Sequence, residues 1–336
     1  MTLPTPQPVR EWRDVDRTRF REEIVPLGQP ALLRGLVRDW PAVQAESIAR
    51  YLRGFDLSRN CEVLIGSPTS GGRFFYGDDF GVMNFQKRDA ALGALVDRLE
   101  QAMTEAQPPM LAAQALVLPQ VLPGFAAENR LDLVDHDVPP RMWIGTRAVV
   151  ACHYDTMRNL ACVAAGRRRF TLFPPDQVRN LYVGPYEATP AGTPVSLVDF
   201  DAPDLARFPL FPQALAAAQL AELEPGDALY IPYMWWHHVR ALDGLNVLVN
   251  YWWNEAADAT LAPLDSFIHG LLALRNLPDE QRAAWRAMFE HFVFRANGDP
   301  VAHLPEANRG VLGGMPPAQA RMLAAQLGKM LAAKGG

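Results

Sequence analysis

The chain has 336 residues, of which 49% are hydrophobic and 21% are charged, and its formal net charge at pH 7 is -5. This acidic balance argues against nucleic acid as a main partner, although RNA stays open as a substrate. The sequence contains no apolar run of about 20 residues, so it predicts no membrane span. A chain of this length exceeds a typical single domain, so we expect one large domain followed by an appendage.

The three cysteines, Cys61, Cys152 and Cys162, are scattered and form no Cys-x-x-Cys pair. Isolated cysteines of this kind are typical of a reducing compartment. The first residues also lack the charged and then apolar pattern of a secretory signal. We therefore expect a cytoplasmic protein.

In the first third of the chain, short helical and strand-like patterns alternate. Helical patterns cover about 15–24 and 89–104, and strand patterns begin at Ala31, Cys61 and Gly71. We interpret residues 1–135 as an N-terminal elaboration of a larger domain that ends near residue 255.

The middle of the chain, from about 140 to 255, is dominated by short strands separated by turns. Gly166-Arg167 and Asp243-Gly244 look like the turns of two hairpins. Many short strands at this spacing are typical of a jelly-roll or double-stranded β-helix, so we expect a mainly β fold with helical additions. The predicted strands begin at Met142, Ala148, Leu160, Arg169, Ala228, His237 and Asn246.

Beyond residue 255 the pattern becomes helical. Apolar residues recur at helical spacing in 264–274, 279–294 and 317–334. These stretches predict a C-terminal helical extension over 256–336.

His153-Tyr-Asp155, together with the later His237, forms the most informative set of residues. Two imidazoles and one carboxylate can occupy one face of an octahedral metal ion and leave the remaining positions open, as in non-haem Fe(II) oxygenases. Residues i and i+2 of a strand point to the same side, so the His-x-Asp spacing suits a strand. The same alternation allows only one of His237 and His238 to face the metal, and we expect His238 to pack behind the sheet.

Several short sequence motifs around these residues resemble those of the JmjC-type, cupin-like hydroxylases. The resemblance is strongest to the enzymes that hydroxylate an asparagine of hypoxia-inducible factor. The resemblance covers about residues 72–254 and assigns the metal ligands to His153, Asp155 and His237. The motifs that carry it are His153-Tyr-Asp, Phe173-Pro-Pro-Asp-Gln, Val198-Asp-Phe-Asp, Arg207-Phe-Pro and Pro225-Gly-Asp-Ala-Leu-Tyr-Ile-Pro followed by Trp235-Trp-His-His.

This resemblance implies Fe(II) as the metal, 2-oxoglutarate as the cosubstrate and O2 as the oxidant. It places Tyr76 and Arg168 on the distal carboxylate of 2-oxoglutarate, where Arg168 replaces a lysine and keeps the charge in a planar, two-pronged donor. It also places Asn159, Asn250 and Trp252 in the pocket.

Two departures from the family bear on function. Val150 stands where the family has a threonine hydroxyl, and Pro194-Val195 replaces a polar pair that grips the target asparagine. We therefore expect a 2-oxoglutarate-dependent hydroxylase that acts on a protein, a peptide or another macromolecule. The sequence does not define which residue is hydroxylated. The alternatives are a cupin-fold protein that binds a metal or a small acid without turnover, and a metal-dependent isomerase or hydrolase.

The C-terminal helices resemble, in their placement, those through which the asparaginyl hydroxylases dimerise. These helices carry more large apolar side chains than a lone helical hairpin needs for its own packing, so we expect a homodimer through this region. The alternative is that these helices only cap the barrel.

Overall fold

The computed structural model describes residues 3–254 and 262–334. Within these ranges the β-strands are Gln7–Pro8 (β1), Glu11–Trp12 (β2), Ala31–Leu33 (β3), Asn60–Gly66 (β4), Arg73–Phe74 (β5), Phe85–Ala91 (β6), Met110–Val117 (β7), Arg141–Gly145 (β8), Val149–Tyr154 (β9), Arg158–Ala165 (β10), Arg168–Phe173 (β11), Gln219–Leu223 (β12), Ala228–Ile231 (β13), Trp236–Ala241 (β14) and Asn246–Trp253 (β15). The α-helices are Arg17–Arg19 (α1), Pro41–Gln44 (α2), Ile48–Leu52 (α3), Leu92–Ala102 (α4), Leu118–Val121 (α5), Pro123–Glu128 (α6), Phe211–Ala216 (α7), Pro263–Leu274 (α8), Asp279–Met288 (α9) and Pro317–Lys334 (α10).

The chain divides into two compact units, Met1–Asn254 and Glu255–Gly336. The predicted boundary at residue 255 itself lies outside the described residues. No helix in the described ranges combines the length and apolar character needed to cross a bilayer.

Two sheets form the first unit. A six-stranded sheet has the order β1-β12-β11-β14-β9-β5, and a nine-stranded sheet has the order β2-β3-β13-β10-β15-β8-β7-β4-β6. The eight strands from β8 to β15 divide equally between them, because β9, β11, β12 and β14 lie in the first and β8, β10, β13 and β15 in the second. This is the double-stranded β-helix, or jelly-roll, that the strand spacing predicts, so the expected fold class is confirmed.

The two short glycine turns do not form the hairpins that the sequence suggested. β10 pairs with β13 and β15, whereas β11 pairs with β12 and β14, so Gly166-Arg167 connects strands of opposite sheets. Asp243-Gly244 likewise connects β14 of one sheet with β15 of the other. The expectation was wrong because a tight turn fixes a reversal of direction, but the hydrophobic faces of the strands decide which sheet they join.

The two turns instead bind each other. The carboxylate of Asp243 accepts hydrogen bonds from the Arg167 backbone N–H at 2.8 Å and from its guanidinium at 2.9 and 3.1 Å. The Leu242 N–H donates to the Arg167 carbonyl at 2.9 Å. These bonds hold together the two connections that cross between the sheets.

The barrel interior is filled by apolar residues from both sheets, including Phe170, Leu172, Leu229 and Leu248. The outer face of the nine-stranded sheet is covered by the N-terminal elements, among which α4 buries Leu92, Leu95, Val96 and Leu99 at helical spacing. That helix begins later than predicted, because residues 85–91 extend as β6 along β4. The N-terminal elements therefore pack against the barrel on this side.

The second unit consists of α8, α9 and α10 with short 3-10 and π turns between them, in agreement with the predicted helices. Several of its large apolar side chains are solvent-exposed, for example Leu272 (78%) and Met322 (67%).

Candidate metal centre

His153, Asp155 and His237 converge on one point and line one cavity of the barrel. His153 on β9 and His237 on β14 are direct cross-strand partners, and their ring centroids lie 4.2 Å apart. Asp155 follows β9 by one residue, and its Oδ2 lies 3.6 Å from Nε2 of His237. One ligand atom from each residue lies within 4.8 Å of the others. This sheet pairing brings together residues that are far apart in the sequence.

Both histidines are held in the form that binds a metal. The Nδ1 atoms of His153 and His237 lie 2.8 and 3.0 Å from the carbonyl oxygens of Ala151 and Trp235, respectively. A carbonyl oxygen only accepts, so each Nδ1 carries the proton and donates it, which leaves Nε2 with a free lone pair. Burial, reinforced by the neighbouring His237, also lowers the pKa of His153 and favours the neutral ring.

A relay of hydrogen bonds orients the carboxylate of Asp155. Its Oδ2 accepts from Nε1 of Trp252 at 3.1 Å and from Nδ2 of Asn159 at 3.2 Å. The Asn250 amide donates to Oδ1 of Asn159 at 3.4 Å and accepts from Nε1 of Trp143 at 3.0 Å. Such outer contacts fix a ligand's rotamer and tune its affinity for metal. The three residues that the resemblance placed in the pocket thus line one cavity with the candidate ligands: Asn159 and Trp252 contact Asp155 directly, and Asn250 is linked to it through Asn159.

A cavity extends from these ligands into the barrel and reaches Arg168. The side chain of Arg168 is buried, with 8% of the residue exposed, and its Nε has no hydrogen-bond partner. Burial alone lowers the pKa of this guanidinium to about 10. The cavity is lined by Trp143, Val150, His153, Asp155, Asn159, Ala161, Arg168, Phe170, His237, Val239, Leu248, Asn250 and Trp252.

A buried guanidinium without a carboxylate is costly, and buried charges in proteins are normally paired. The neighbouring arginines on the same strand show the contrast, because Arg167 and Arg169 are exposed and form ion pairs with Asp243 and Glu222. No ion pair of Arg168 is found among the described residues. The cavity therefore offers a place for an anion at one end and for a cation at the other.

Tyr76 does not line this cavity. Its hydroxyl donates to the carbonyl of Ala188 at 3.0 Å, and its ring packs against Ala151 and Val195. The structure therefore does not bring Tyr76 to Arg168, although the resemblance implied that both hold the same carboxylate. Val150, in contrast, lies on the cavity wall as the resemblance implied. Val195 is fully buried and forms no part of an exposed gripping surface.

The other histidines have different surroundings. His238 faces the opposite side of the sheet and stacks on Phe200, with ring centroids 4.5 Å apart and planes inclined by 17°. Burial lowers its pKa to about 3. His153, Asp155 and His237 form the one cluster of potential metal ligands found in the described residues, and none of His136, His269, His291 and His303 belongs to it.

Sequence reasoning missed Trp143 and the two backbone carbonyls that orient the histidines. Trp143 reads as an ordinary strand residue, and its role depends on the pairing of β8 with β15, which brings its indole to Asn250. The carbonyls at Ala151 and Trp235 each lie two residues before a ligand histidine. That regularity could have been anticipated once both histidines were placed on strands.

The chain is similar to a family model and to several named proteins. A family model described as a cupin-like domain matches residues 17–259. The human bifunctional peptidase and (3S)-lysyl hydroxylase JMJD7 is 30% identical over 268 residues, covering 71% of this chain and 81% of that protein. Lysine-specific demethylase 8 of Xenopus tropicalis is 26% identical over 240 residues, 70% of this chain and 50% of the relative. HSPB1-associated protein 1 of Bos taurus is 38% identical over 115 residues, 33% of this chain and 23% of the relative. The chain thus spans about half the length of the Xenopus relative.

Proposed function

This chain belongs to the cupin-like domain family, and we propose that it is an Fe(II)- and 2-oxoglutarate-dependent oxygenase that hydroxylates a protein side chain. The observation that supports this function best is the composition of one cavity. It combines a His-Asp-His cluster with a buried arginine whose Nε has no partner. The cosubstrate proposed here needs both features, because it chelates a metal at one end and carries a carboxylate at the other.

His153, Asp155 and His237 would hold the iron. Two neutral imidazoles and one carboxylate are the donor set of facial-triad Fe(II) oxygenases, and their orientation by backbone carbonyls, Trp252 and Asn159 fits that role. When bound, the iron supplies the activation of O2 that a protein side chain cannot provide.

Arg168 would bind the distal carboxylate of 2-oxoglutarate. Pairing its guanidinium with a carboxylate removes the cost of a buried lone charge and fixes the direction of the cosubstrate. The apolar walls at Phe170, Val239 and Leu248 exclude water from the reacting end. In the balanced reaction, 2-oxoglutarate, O2 and a C–H group give succinate, CO2 and a C–OH group.

Lysine is the first target side chain to test, since one relative that this chain largely covers is named a (3S)-lysyl hydroxylase. Asparagine, which the resemblance suggested, is the second. Asparagine comes second because Pro194 and Val195 are buried and carry no polar side chain, so they supply no equivalent of the pair that grips asparagine in that family. The oxygenase proposal depends on the cavity and not on either target.

The test measures succinate release from 2-oxoglutarate with Fe(II) in air, together with a mass-spectrometric search for products 16 Da heavier among cellular proteins and RNA. His153→Ala should abolish succinate release, whereas His238→Gln, a change at the histidine behind the sheet, should retain it. Equal release from the native protein and His153→Ala would refute the oxygenase. Tight 2-oxoglutarate binding without any turnover would favour the alternative, a binding or sensor protein.

We also propose that the second unit mediates a homodimer. Helix α8 and the segment that follows it expose Leu264, Leu272, Trp285, Met288 and Val293, each to 45% or more. Exposed apolar sets of this kind mark interaction surfaces more often than free solvent-facing helices. A second copy of the chain is the partner that the family resemblance implies.

A further inference from the structure

A second cavity adjoins the candidate metal centre at Arg168. It shares Trp143, Val150, Arg168 and Val239 with the first cavity, and none of the three candidate metal ligands lines it. We call it the distal cavity. A 2-oxo acid held at the metal by its 2-oxo end and reaching Arg168 with its other carboxylate would place that carboxylate where the two cavities meet.

Besides Arg168, the distal cavity is lined by three side chains with polar atoms, namely Gln114, Trp143 and Thr146. Thr146 also lines the distal cavity, but its Oγ1 accepts from the Leu111 N–H at 3.0 Å and lies 3.3 Å from the Pro109 carbonyl. The indole N–H of Trp143 is taken by Asn250. Gln114 remains: it lines the distal cavity, is half-buried, and its side-chain amide forms no hydrogen bond within the described ranges.

Gln114 lies on the same face of β7 as Ala112, which also lines the distal cavity, and a β-bulge interrupts the strand at this point. In the pairing of β7 with β8, Ala113 lies opposite Ile144 and Leu116 opposite Met142, so Gln114 and Ala115 together face a single residue. Ala115 has a φ of 52°, in the left-handed region that an alanine rarely adopts. Regular alternation would put Gln114 and Leu116 on the same face, but Leu116 is buried in the core behind the sheet. The bulge therefore leaves Gln114 on the cavity face of β7 and puts Leu116 on the core face. Bulges are common beside functional sites.

We propose that Gln114 is a specificity-determining residue that, with Arg168, binds the distal carboxylate of the 2-oxo acid. An ionised carboxylate has about four acceptor sites, more than one guanidinium edge fills. Val150 on the shared wall supplies no donor, so the amide N–H of Gln114 completes the set. This inference rests on the proposed function.

The test measures binding rather than turnover. The Mn(II)-loaded full chain is titrated with 2-oxoglutarate by calorimetry in the absence of O2. Gln114→Leu should weaken binding about tenfold, since a hydrogen bond to a charged group is lost, and Gln114→Glu should weaken it further through repulsion between carboxylates. Gln120→Leu, a change at an exposed glutamine just beyond the same strand, should have no effect.

A ligand control separates recognition of the carboxylate from damage to the cavity. 2-Oxopentanoate has the length of 2-oxoglutarate but ends in a methyl group, and the thermal shift it causes should be the same for the native chain and Gln114→Leu. Metal-free unfolding temperatures of the variants check that each one folds.

The possible failures are distinguishable. If Gln114→Leu binds 2-oxoglutarate like the native chain while Arg168→Met loses it, the role of Gln114 is wrong and the oxygenase proposal stands. Equal weakening of 2-oxoglutarate and 2-oxopentanoate also overturns the role of Gln114. If the native chain binds no 2-oxoglutarate at all, both proposals fail.

Discussion

Replacing Arg168 by methionine should weaken cosubstrate binding and stabilise the metal-free protein at the same time. Methionine keeps the unbranched length of the side chain and removes the charge. Burial alone lowers the pKa of Arg168 from the usual value of an arginine to about 10. This difference corresponds to about 3 kcal/mol of destabilisation of the charged form in the folded chain. A methionine does not fill the whole site, so we expect a net gain of about 1–2 kcal/mol in the free energy of unfolding.

The same substitution would remove the charged partner that we propose for the distal carboxylate of 2-oxoglutarate. Loss of one side of a buried, hydrogen-bonded ion pair costs about 2–5 kcal/mol. A loss of about 3 kcal/mol corresponds to a decrease in 2-oxoglutarate affinity on the order of a hundredfold. Calorimetric titration of the Mn(II)-loaded chain measures the affinity, and urea denaturation of the metal-free chain measures the stability.

Arg169→Met is the matched control, because Arg169 lies on the same strand but is exposed and paired with Glu222. An exposed pair contributes about 1 kcal/mol or less, so this change should leave 2-oxoglutarate affinity unaltered and stability nearly so. If Arg168→Met instead destabilises the metal-free chain by more than about 1 kcal/mol and binds 2-oxoglutarate normally, Arg168 is a structural residue and the reasoning is refuted.

Three further predictions concern the ligand relay, the crossing turns and the second unit. Trp252→Phe removes one of the two N–H donors to Asp155 and should lower Mn(II) affinity about tenfold by calorimetry; unchanged affinity would mean that the indole only packs. Asp243→Ala removes the partner of the Arg167 backbone and guanidinium and should cost about 1–2 kcal/mol in urea denaturation without changing metal affinity; a wild-type unfolding midpoint would show that the turns do not depend on it. Leu272→Asp puts a charge on the most exposed leucine of α8 and should convert a dimer into a monomer by light scattering at micromolar concentration, and a native chain that is already monomeric would exclude the dimer.

The local features of the barrel could be predicted because strand alternation is a local property. With Arg168 placed inside by the resemblance, alternation requires its neighbours Arg167 and Arg169 to point outward, and the structure has them so. It also allowed only one of His237 and His238 to face the metal, and the two rings do lie on opposite sides of β14. A period of two residues is set by the backbone itself and needs no knowledge of the neighbouring strands.

Features that depend on strand pairing could not be predicted in this way. The turns at Gly166 and Asp243 have the composition of hairpin turns, yet each leads into the opposite sheet. Turn composition constrains the backbone over a few residues only, whereas the choice of sheet depends on where each buried face finds its partner. Tyr76 illustrates the same limit, because its hydroxyl is bonded to Ala188 and not turned toward Arg168.

The arrangement of charge in the cavity explains why its two ends belong to one site. The three candidate ligands would bring one negative charge to a divalent cation, leaving a net charge of +1 before the cosubstrate binds, and Arg168 adds a second positive charge deeper in the barrel. A 2-oxo diacid carries two negative charges, and one carboxylate at each end would neutralise the whole cavity. A monoacid would leave Arg168 buried and unpaired. Under the proposed function, selection for a diacid would therefore follow from the cost of a lone buried charge and would require no close fit to the carbon chain.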